Sequence, residues 1–276
     1  MARYNGIKLV VCDLDGTLLD PDGNIGDDSI EALNRLNDAG IQFAIATGIP
    51  FYDIDPKLRE CEAIRFFITS NGANVVDRFG EFNRNTLLDG NIINRIYTII
   101  SPYKMTVSIH KDGNSLVDAK KITPEGFEEY GTSKYYQKYY TTLSIASSNF
   151  QGLVAKMNAA EMMSVYFKYE TDSLKCLAEI KQIEGINVTS SSKGNIEIIS
   201  MGVSKGAALS RLMTSIGLSA SSVAVVGDSK NDISMFKVAG LPLAMSNACD
   251  ELKAFAKDVI CSNADNTAVF LSHSFI

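Results

Sequence analysis

The chain has 276 residues, 46% of them hydrophobic, which is enough for a sizeable core and leaves room for two domains. A net charge of −6 without a concentrated basic face argues against a nucleic-acid binder, so an anionic substrate has to be drawn in by a local positive site. No run approaches the roughly 18 apolar residues of a membrane-spanning helix, and five scattered cysteines and two histidines offer neither a disulfide framework nor a histidine metal cluster.

In chain order, Ile7 to Cys12 reads as a buried strand. Lys8 and Asp13 interrupt this apolar stretch too early for a signal peptide, and with the cysteine pattern this suggests a cytoplasmic protein. Asp27 or Asp28 is placed to cap a helix that runs through Ala39 and stops at Gly40. Ile41 to Ala46 and Phe66 to Thr69 are further strands, and Val75 to Leu87 reads as a hairpin turning at Gly80. The middle is different in texture. Helices are expected at 91–100 and 171–183, strands at 105–110, 163–168 and 186–189, and tyrosines gather between Tyr130 and Tyr140, including Tyr135 and Tyr136. Alternation then resumes with a helix over 204–216, a strand over 222–226, a helix over 231–239 and short strands at 241–245 and 259–261. Strands separated by helices predict a parallel sheet flanked by helices, an α/β fold. The expected division is a core of residues 1–82 and 191–276 around an inserted α/β domain, 83–190.

Four polar clusters follow strand-like runs: Asp13 to Thr17, Thr47-Gly48, Ser70-Asn71-Gly72 and Gly227 to Asp232. In an open parallel sheet, ligands bind beyond the carboxyl ends of the strands, so all four would meet along one edge. Two charges at the end of the most apolar strand serve no core, because unpaired buried carboxylates are costly. A magnesium ion and a phosphoryl group would explain them together. Asp13 comes directly off the strand and is the candidate nucleophile. Asp15 is the candidate acid and base, and Gly16 permits a tight turn with close approach of N–H groups to phosphate. Asp228 and Asp232 are hard oxygen donors of the kind Mg²⁺ takes. Thr47 and Gly48 could hold phosphate oxygens. Lys205, at the start of a helix, opposes the helix dipole unless an anion lies nearby. Each cluster alone has a plainer reading as a surface turn, a helix cap or a solvated lysine; the convergence is what points to chemistry.

These residues resemble the haloacid dehalogenase superfamily, specifically the Cof-type phosphatases of subfamily IIB with a C2B cap. The resemblance rests on Asp13-Leu14-Asp15-Gly16-Thr17, Ala46-Thr47-Gly48, Ser70-Asn71-Gly72-Ala73, Val203-Ser204-Lys205-Gly206, Gly227-Asp228-Ser229-Lys230-Asn231-Asp232 and Leu243 to Ala248, in that order. It implies a Rossmann-like core and a cap that closes over substrate. It implies Asp13 as the phosphorylated nucleophile, Asp15 as acid/base, and Thr47 and Lys205 as holders of the phosphoryl group. Gly16, Gly48, Asn71 and Asn231 would lie near the substrate. Mg²⁺ would be held by the Asp13 side chain, the Asp15 carbonyl oxygen and Asp228, with Asp232 orienting the metal's waters or Lys205. The family commonly carries arginine after Thr-Gly. Here Ile49 and Pro50 follow, and Ser229 stands where glycine is frequent.

The expected activity is therefore a Mg²⁺-dependent phosphatase of small phosphorylated metabolites, sugar phosphates first. A phosphomutase shares the same core chemistry, but the basic residues Lys104, Lys111 and Lys193 form no clear cluster for a second phosphate. A metabolite-binding protein with weak turnover is the third reading, resting on the missing arginine alone.

Overall fold

The structure is a computed structural model that describes residues 3–190 and 194–276. The side chains of Tyr135 and Tyr136, and Lys193, lie outside that description. Two compact units are present. One comprises Met1–Gly48, Ile54–Arg84 and Ser204–Ile276; the other comprises Ile49–Asp53 and Asn85–Val203.

The chain begins with β1 (Leu9–Cys12), β2 (Gln42–Ala46), β3 (Ile64–Thr69), β4 (Asn74–Asp77) and β5 (Asn83–Asn85). The insertion contributes β6 (Leu88–Asp89), β7 (Met105–Lys111), β8 (Asn114–Asp118), β9 (Ile145–Ser147) and β10 (Ala159–Ala160). It then adds β11 (Met162–Phe167), β12 (Ile186–Thr189) and β13 (Asn195–Ser200). The chain closes with β14 (Val223–Gly227), β15 (Leu241–Ala244) and β16 (Asp258–Val259).

The first unit is built on a sheet of order β16-β15-β14-β1-β2-β3-β4-β5. From β16 to β3 every pairing is parallel, and β4 runs antiparallel to β3. All four residues of β1 are fully buried, as a central strand covered on both faces requires. Register fixes the working edge. Cys12 lies opposite both Val226 and Ile45, and Ala46 lies opposite Ile68. The residues that follow these strands therefore emerge level with one another.

The second unit holds a six-stranded sheet of order β12-β13-β11-β7-β8-β9. Its pairings are antiparallel except β8 with β9. Helices Gly90–Ile100 and Glu170–Ile180 pack their apolar sides on one face, against Val107, Ile109, Val165 and Ile198. The opposite face of β7 carries the alternate residues Thr106, Ser108 and His110, all buried.

Several sequence expectations are corrected. The expected cuts at 82/83 and 190/191 differ from the observed units because β13 is hydrogen-bonded between β12 and β11, which draws the chain up to Val203 into the insertion. Residues Ile49–Asp53 join it as well. Asp27 and Asp28 do not cap the first helix. Gly26 holds the capping position, and the two aspartates sit in the first turn, where their charge suits the helix dipole. The helix expected over 231–239 is cut short to Ile233–Phe236, behind a tight turn at Lys230–Asp232. Helix Thr267–Phe275 is buried on most sides, its Ser272 and Ser274 included, and gives no amphipathic period to read. No helix among the described residues is long and apolar enough to cross a membrane.

Candidate active site

Asp13 continues directly from β1, its N–H donating to the Val226 carbonyl at 3.0 Å. The chain then turns tightly, with the Leu18 N–H returning to the Asp13 carbonyl. Gly16 makes this turn at φ +75°, and a Cβ there would sit 2.6 Å from Asp228 Oδ2. Glycine is thus needed twice, for the left-handed backbone and for close approach of the fifth motif. Thr17 is buried. Its hydroxyl donates to Asp228 Oδ1 at 3.3 Å, and its carbonyl accepts from the Thr267 hydroxyl at 2.6 Å. Asn247 Nδ2 donates to the Gly16 carbonyl at 2.8 Å, which brings the final loop to the first.

Lys205 is the centre of the arrangement. Ser204 caps its helix, accepting from the Ala207 N–H at 3.0 Å. The lysine side chain is fully buried, and Nζ lies 2.7 Å from Asp13 Oδ1 and 2.7 Å from Asp232 Oδ1. The anion demanded by its position at a helix start is supplied by two carboxylates of this chain. Burial by itself would lower the ammonium pKa, but the charges of Asp13 and Asp232 and the hydrogen bonds to them carry it above its ordinary value. Lys205 is therefore a fixed cation.

Asp232 commits both of its oxygens. Oδ1 takes Lys205, and Oδ2 accepts the N–H groups of Asp228 and Ser229 at 3.0 and 3.1 Å. Such a carboxylate orients its neighbours better than it ligates. Burial and the charge of Asp232 push the Asp228 carboxyl up to about 7, with Lys205 opposing. Burial likewise raises Asp13 well above the carboxylate range, Lys205 offsetting part of the effect while Asp232 and Asp228 add to it. Carboxylate oxygens of Asp13, Asp228 and Asp232 all lie within 4.8 Å of one another. Three carboxylates against one ammonium leave two negative charges in surplus. A hard divalent cation fits this all-oxygen donor set and would offset the burial and the carboxylate repulsion that raise Asp13 and Asp228.

The second and third motifs meet behind this cluster. Thr47 is buried and its carbonyl accepts the Asn71 N–H at 3.0 Å. Ser70, Asn71 and Gly72 all have positive φ, and a Cβ on Gly72 would strike the Ser204 carbonyl. Asn231 Nδ2 donates to Asn71 Oδ1 at 3.1 Å, and its side-chain Oδ1 accepts from the Ser229 hydroxyl at 2.7 Å. The serine in place of glycine at 229 thus fixes which way Asn231 faces. Asp15 is half-buried in the turn at φ −71° and ψ 122°, and Gly48 is half-buried at the end of the second motif.

Three supports escaped the sequence reading. Ser204 had a legible signal, a serine immediately before a helical pattern. Ser234, whose hydroxyl accepts the Gly206 N–H at 2.9 Å, and Thr267, some 250 positions from its partner, had none.

With a divalent cation bound, the arrangement could hold an anionic tetrahedral group and place a carboxylate against it. The family model for haloacid dehalogenase-like hydrolase matches residues 10–271. The chain belongs to the haloacid dehalogenase-like hydrolases and is a phosphatase. It is 30% identical to the 5-amino-6-(5-phospho-D-ribitylamino)uracil phosphatase YwtE of Bacillus subtilis strain 168, over 96% of each chain. It is also 30% identical to the pyridoxal phosphate phosphatase YbhA of Escherichia coli K12, over 96% of this chain and 97% of that one. Among solved structures, the HAD subclass IIB sugar phosphatase BT4131 shares the fold with a TM-score of 0.79 at 20% identity, over 96% of this chain and 98% of that one.

Proposed function

We propose that the protein is a Mg²⁺-dependent phosphatase that hydrolyses small phosphorylated metabolites through a phospho-Asp13 intermediate. The observation that carries this reading is Lys205 Nζ, buried and 2.7 Å from both Asp13 and Asp232. It ties the first, fourth and fifth motifs into one constellation. Asp13 Oδ attacks phosphorus in line with the ester oxygen, the ester P–O bond breaks, and Asp15 gives its proton to the departing oxygen. Water then attacks the phosphorus, Asp15 takes the water's proton, and the acyl-phosphate bond opens to return Asp13 and release phosphate. Lys205 and the Thr47–Gly48 loop hold the phosphoryl oxygens in both steps. Asp13, the Asp15 carbonyl oxygen and Asp228 would hold Mg²⁺, with Asp232 orienting Lys205. The ion, when bound, cancels repulsion between an anionic nucleophile and an anionic substrate.

The preferred substrates are sugar or polyol phosphates. Their support is the relative YwtE, whose substrate name places the phosphate on a ribityl chain. Asp13→Asn is expected to fold and to lose at least ~10³-fold in hydrolysis of a generic aryl phosphate, the scale of removing a nucleophile. Retained turnover would remove Asp13 from the role. Activity is expected to vanish on chelation and return with added Mg²⁺. Across a panel of sugar, polyol and vitamin phosphates, free phosphate rather than an isomerised sugar phosphate is the expected product.

A further inference from the structure

The turn that carries Asp13 and Asp15 uses two of its own carbonyls to fold back on itself. The Leu18 N–H takes that of Asp13 at 3.2 Å, and the Leu19 N–H takes that of Leu14 at 3.0 Å. Three more, those of Gly16, Thr17 and Leu19, are taken by side chains from the end of the chain. Asn247 Nδ2 donates to Gly16 at 2.8 Å, the Thr267 hydroxyl to Thr17 at 2.6 Å and Asn263 Nδ2 to Leu19 at 3.1 Å. All of these residues belong to one compact unit. The donors stand on a braced base. Asp265 Oδ2 accepts both the N–H and the hydroxyl of Ser262, at 3.0 and 2.6 Å, which closes the turn that presents Asn263. Asn266 caps helix Thr267–Phe275 by accepting the Val269 N–H at 3.2 Å, and its Nδ2 reaches Asp28 Oδ2 at 2.8 Å, in the first helix. Asn247 links the grips, because its Oδ1 accepts the Asn263 N–H at 3.1 Å while its Nδ2 serves Gly16. A primary amide carries the donor and the acceptor that this needs on one planar group. Two residues on, the Cys249 N–H donates to the Asp228 carbonyl at 2.9 Å. The segment 247–249 therefore holds the first motif with a side chain and the fifth with its backbone.

We infer that Asn247, with Asn263 and Thr267, is a positioning residue that presets the Asp13–Leu19 turn and its spacing from Asp228, and so sets how tightly a divalent cation is held between them. This rests on the reading of Asp13, the Asp15 carbonyl oxygen and Asp228 as the holders of Mg²⁺. A turn that already has the shape its cation requires loses little freedom when the cation arrives. A turn released from its three outer grips would have to be ordered by the cation itself. The grips fall on backbone carbonyls of the turn and not on the reacting carboxyl groups, so their loss is felt in cation affinity more than in turnover at saturating cation.

The test uses the full chain. Asn247 is exposed, so Asn247→Ala buries no unpaired group and is expected to fold. The readouts are the Mg²⁺ dissociation constant from calorimetry without substrate, amide exchange at Leu18 and Leu19 in the metal-free protein, and kcat for an aryl phosphate at saturating Mg²⁺. Expected in Asn247→Ala are a dissociation constant about tenfold higher, faster exchange at both amides and a kcat within about threefold of the parent. Thr267→Val removes a hydroxyl and should shift Mg²⁺ affinity in the same direction, whereas Thr267→Ser keeps the hydroxyl and should bind Mg²⁺ as the parent does. An unchanged Mg²⁺ affinity in Asn247→Ala would overturn the inference, whatever happens to its KM or melting temperature. So would a kcat at saturating Mg²⁺ that falls as far as the affinity. Should the parent itself bind no Mg²⁺, it is the metal reading that fails. The preset turn is then judged by exchange alone, and equal rates at Leu18 and Leu19 in parent and Asn247→Ala overturn it.

Discussion

Asp13 shows at a single residue how activity and stability oppose each other. Its carboxylate is buried beside two others, and burial drives its pKa up. The charged form that the proposed attack needs is therefore the one that burial resists. Asp13→Asn should accordingly melt no lower than the parent without Mg²⁺ while losing activity, a trade expected where a functional site stores unfavourable charge. Lys205→Met should instead lose stability together with activity. It leaves Asp13 and Asp232 buried without their cation and should cost about 3–5 kcal/mol in unfolding free energy, read by denaturant titration. Gly16→Ala combines a left-handed backbone with a Cβ 2.6 Å from Asp228 Oδ2. It should destabilise by roughly 1–3 kcal/mol and raise the Mg²⁺ concentration needed for half-maximal activity, because Asp228 has to move.

At the scale of elements, helix Lys205–Ser215 is shaped by its approach to the next helix and not by helix propensity. Gly206 lies in its first turn, where alanine would ordinarily gain up to about 1 kcal/mol. Here a Cβ would collide with the Ser234 carbonyl, a backbone atom that cannot swing aside. Sterics should win. Gly206→Ala is expected to lower the melting temperature and to reduce activity by moving Lys205, whereas a rise in melting temperature would show that the two helices separate freely. The elements that the sequence displayed well were those with one apolar face or none exposed. β1, β2 and β14 are short and, Gln42 aside, apolar, and their ends were placed within two residues. β13, Asn-Ile-Glu-Ile-Ile-Ser, was not among the expected strands, and nothing in those six residues says which sheet accepts them. Helix Thr267–Phe275 went unread because a helix buried on most sides has no polar stripe to mark its period.

At the scale of the whole molecule, one buried histidine ties stability to pH. His110 is buried on β7, and desolvation pushes its pKa down to about 3. An unfolded histidine protonates near 6.5, so between about 6.5 and 3 the unfolded chain binds the extra proton and stability falls as pH falls. The loss attributable to His110 approaches ~1.4 kcal/mol per pH unit, or about 2 kcal/mol between pH 6.5 and 5. Unfolding titrations of His110→Gln should be flatter than the parent in that window by this amount; parallel curves would mean that His110 already carries its proton in the fold.

The sequence by itself determined which residues are candidates for the chemistry. Asp13, Asp15, Thr47, Lys205 and Asp228 each follow a recognisable strand or open a helix, because local patterns of apolar runs, turn formers and charges are written in neighbouring residues. Only the tertiary structure decided the partnerships. That Asp232 serves Lys205 with one oxygen and two backbone N–H groups with the other, that Ser229 turns Asn231 towards Asn71, and that Thr267 supports Thr17 are matters of register and packing between distant segments. Hydrogen bonds and close contacts are made between atoms that come within about 3 Å in space. Separation along the chain sets no such distance, so the same residues in the same order remain silent about them until the sheet fixes where each strand ends.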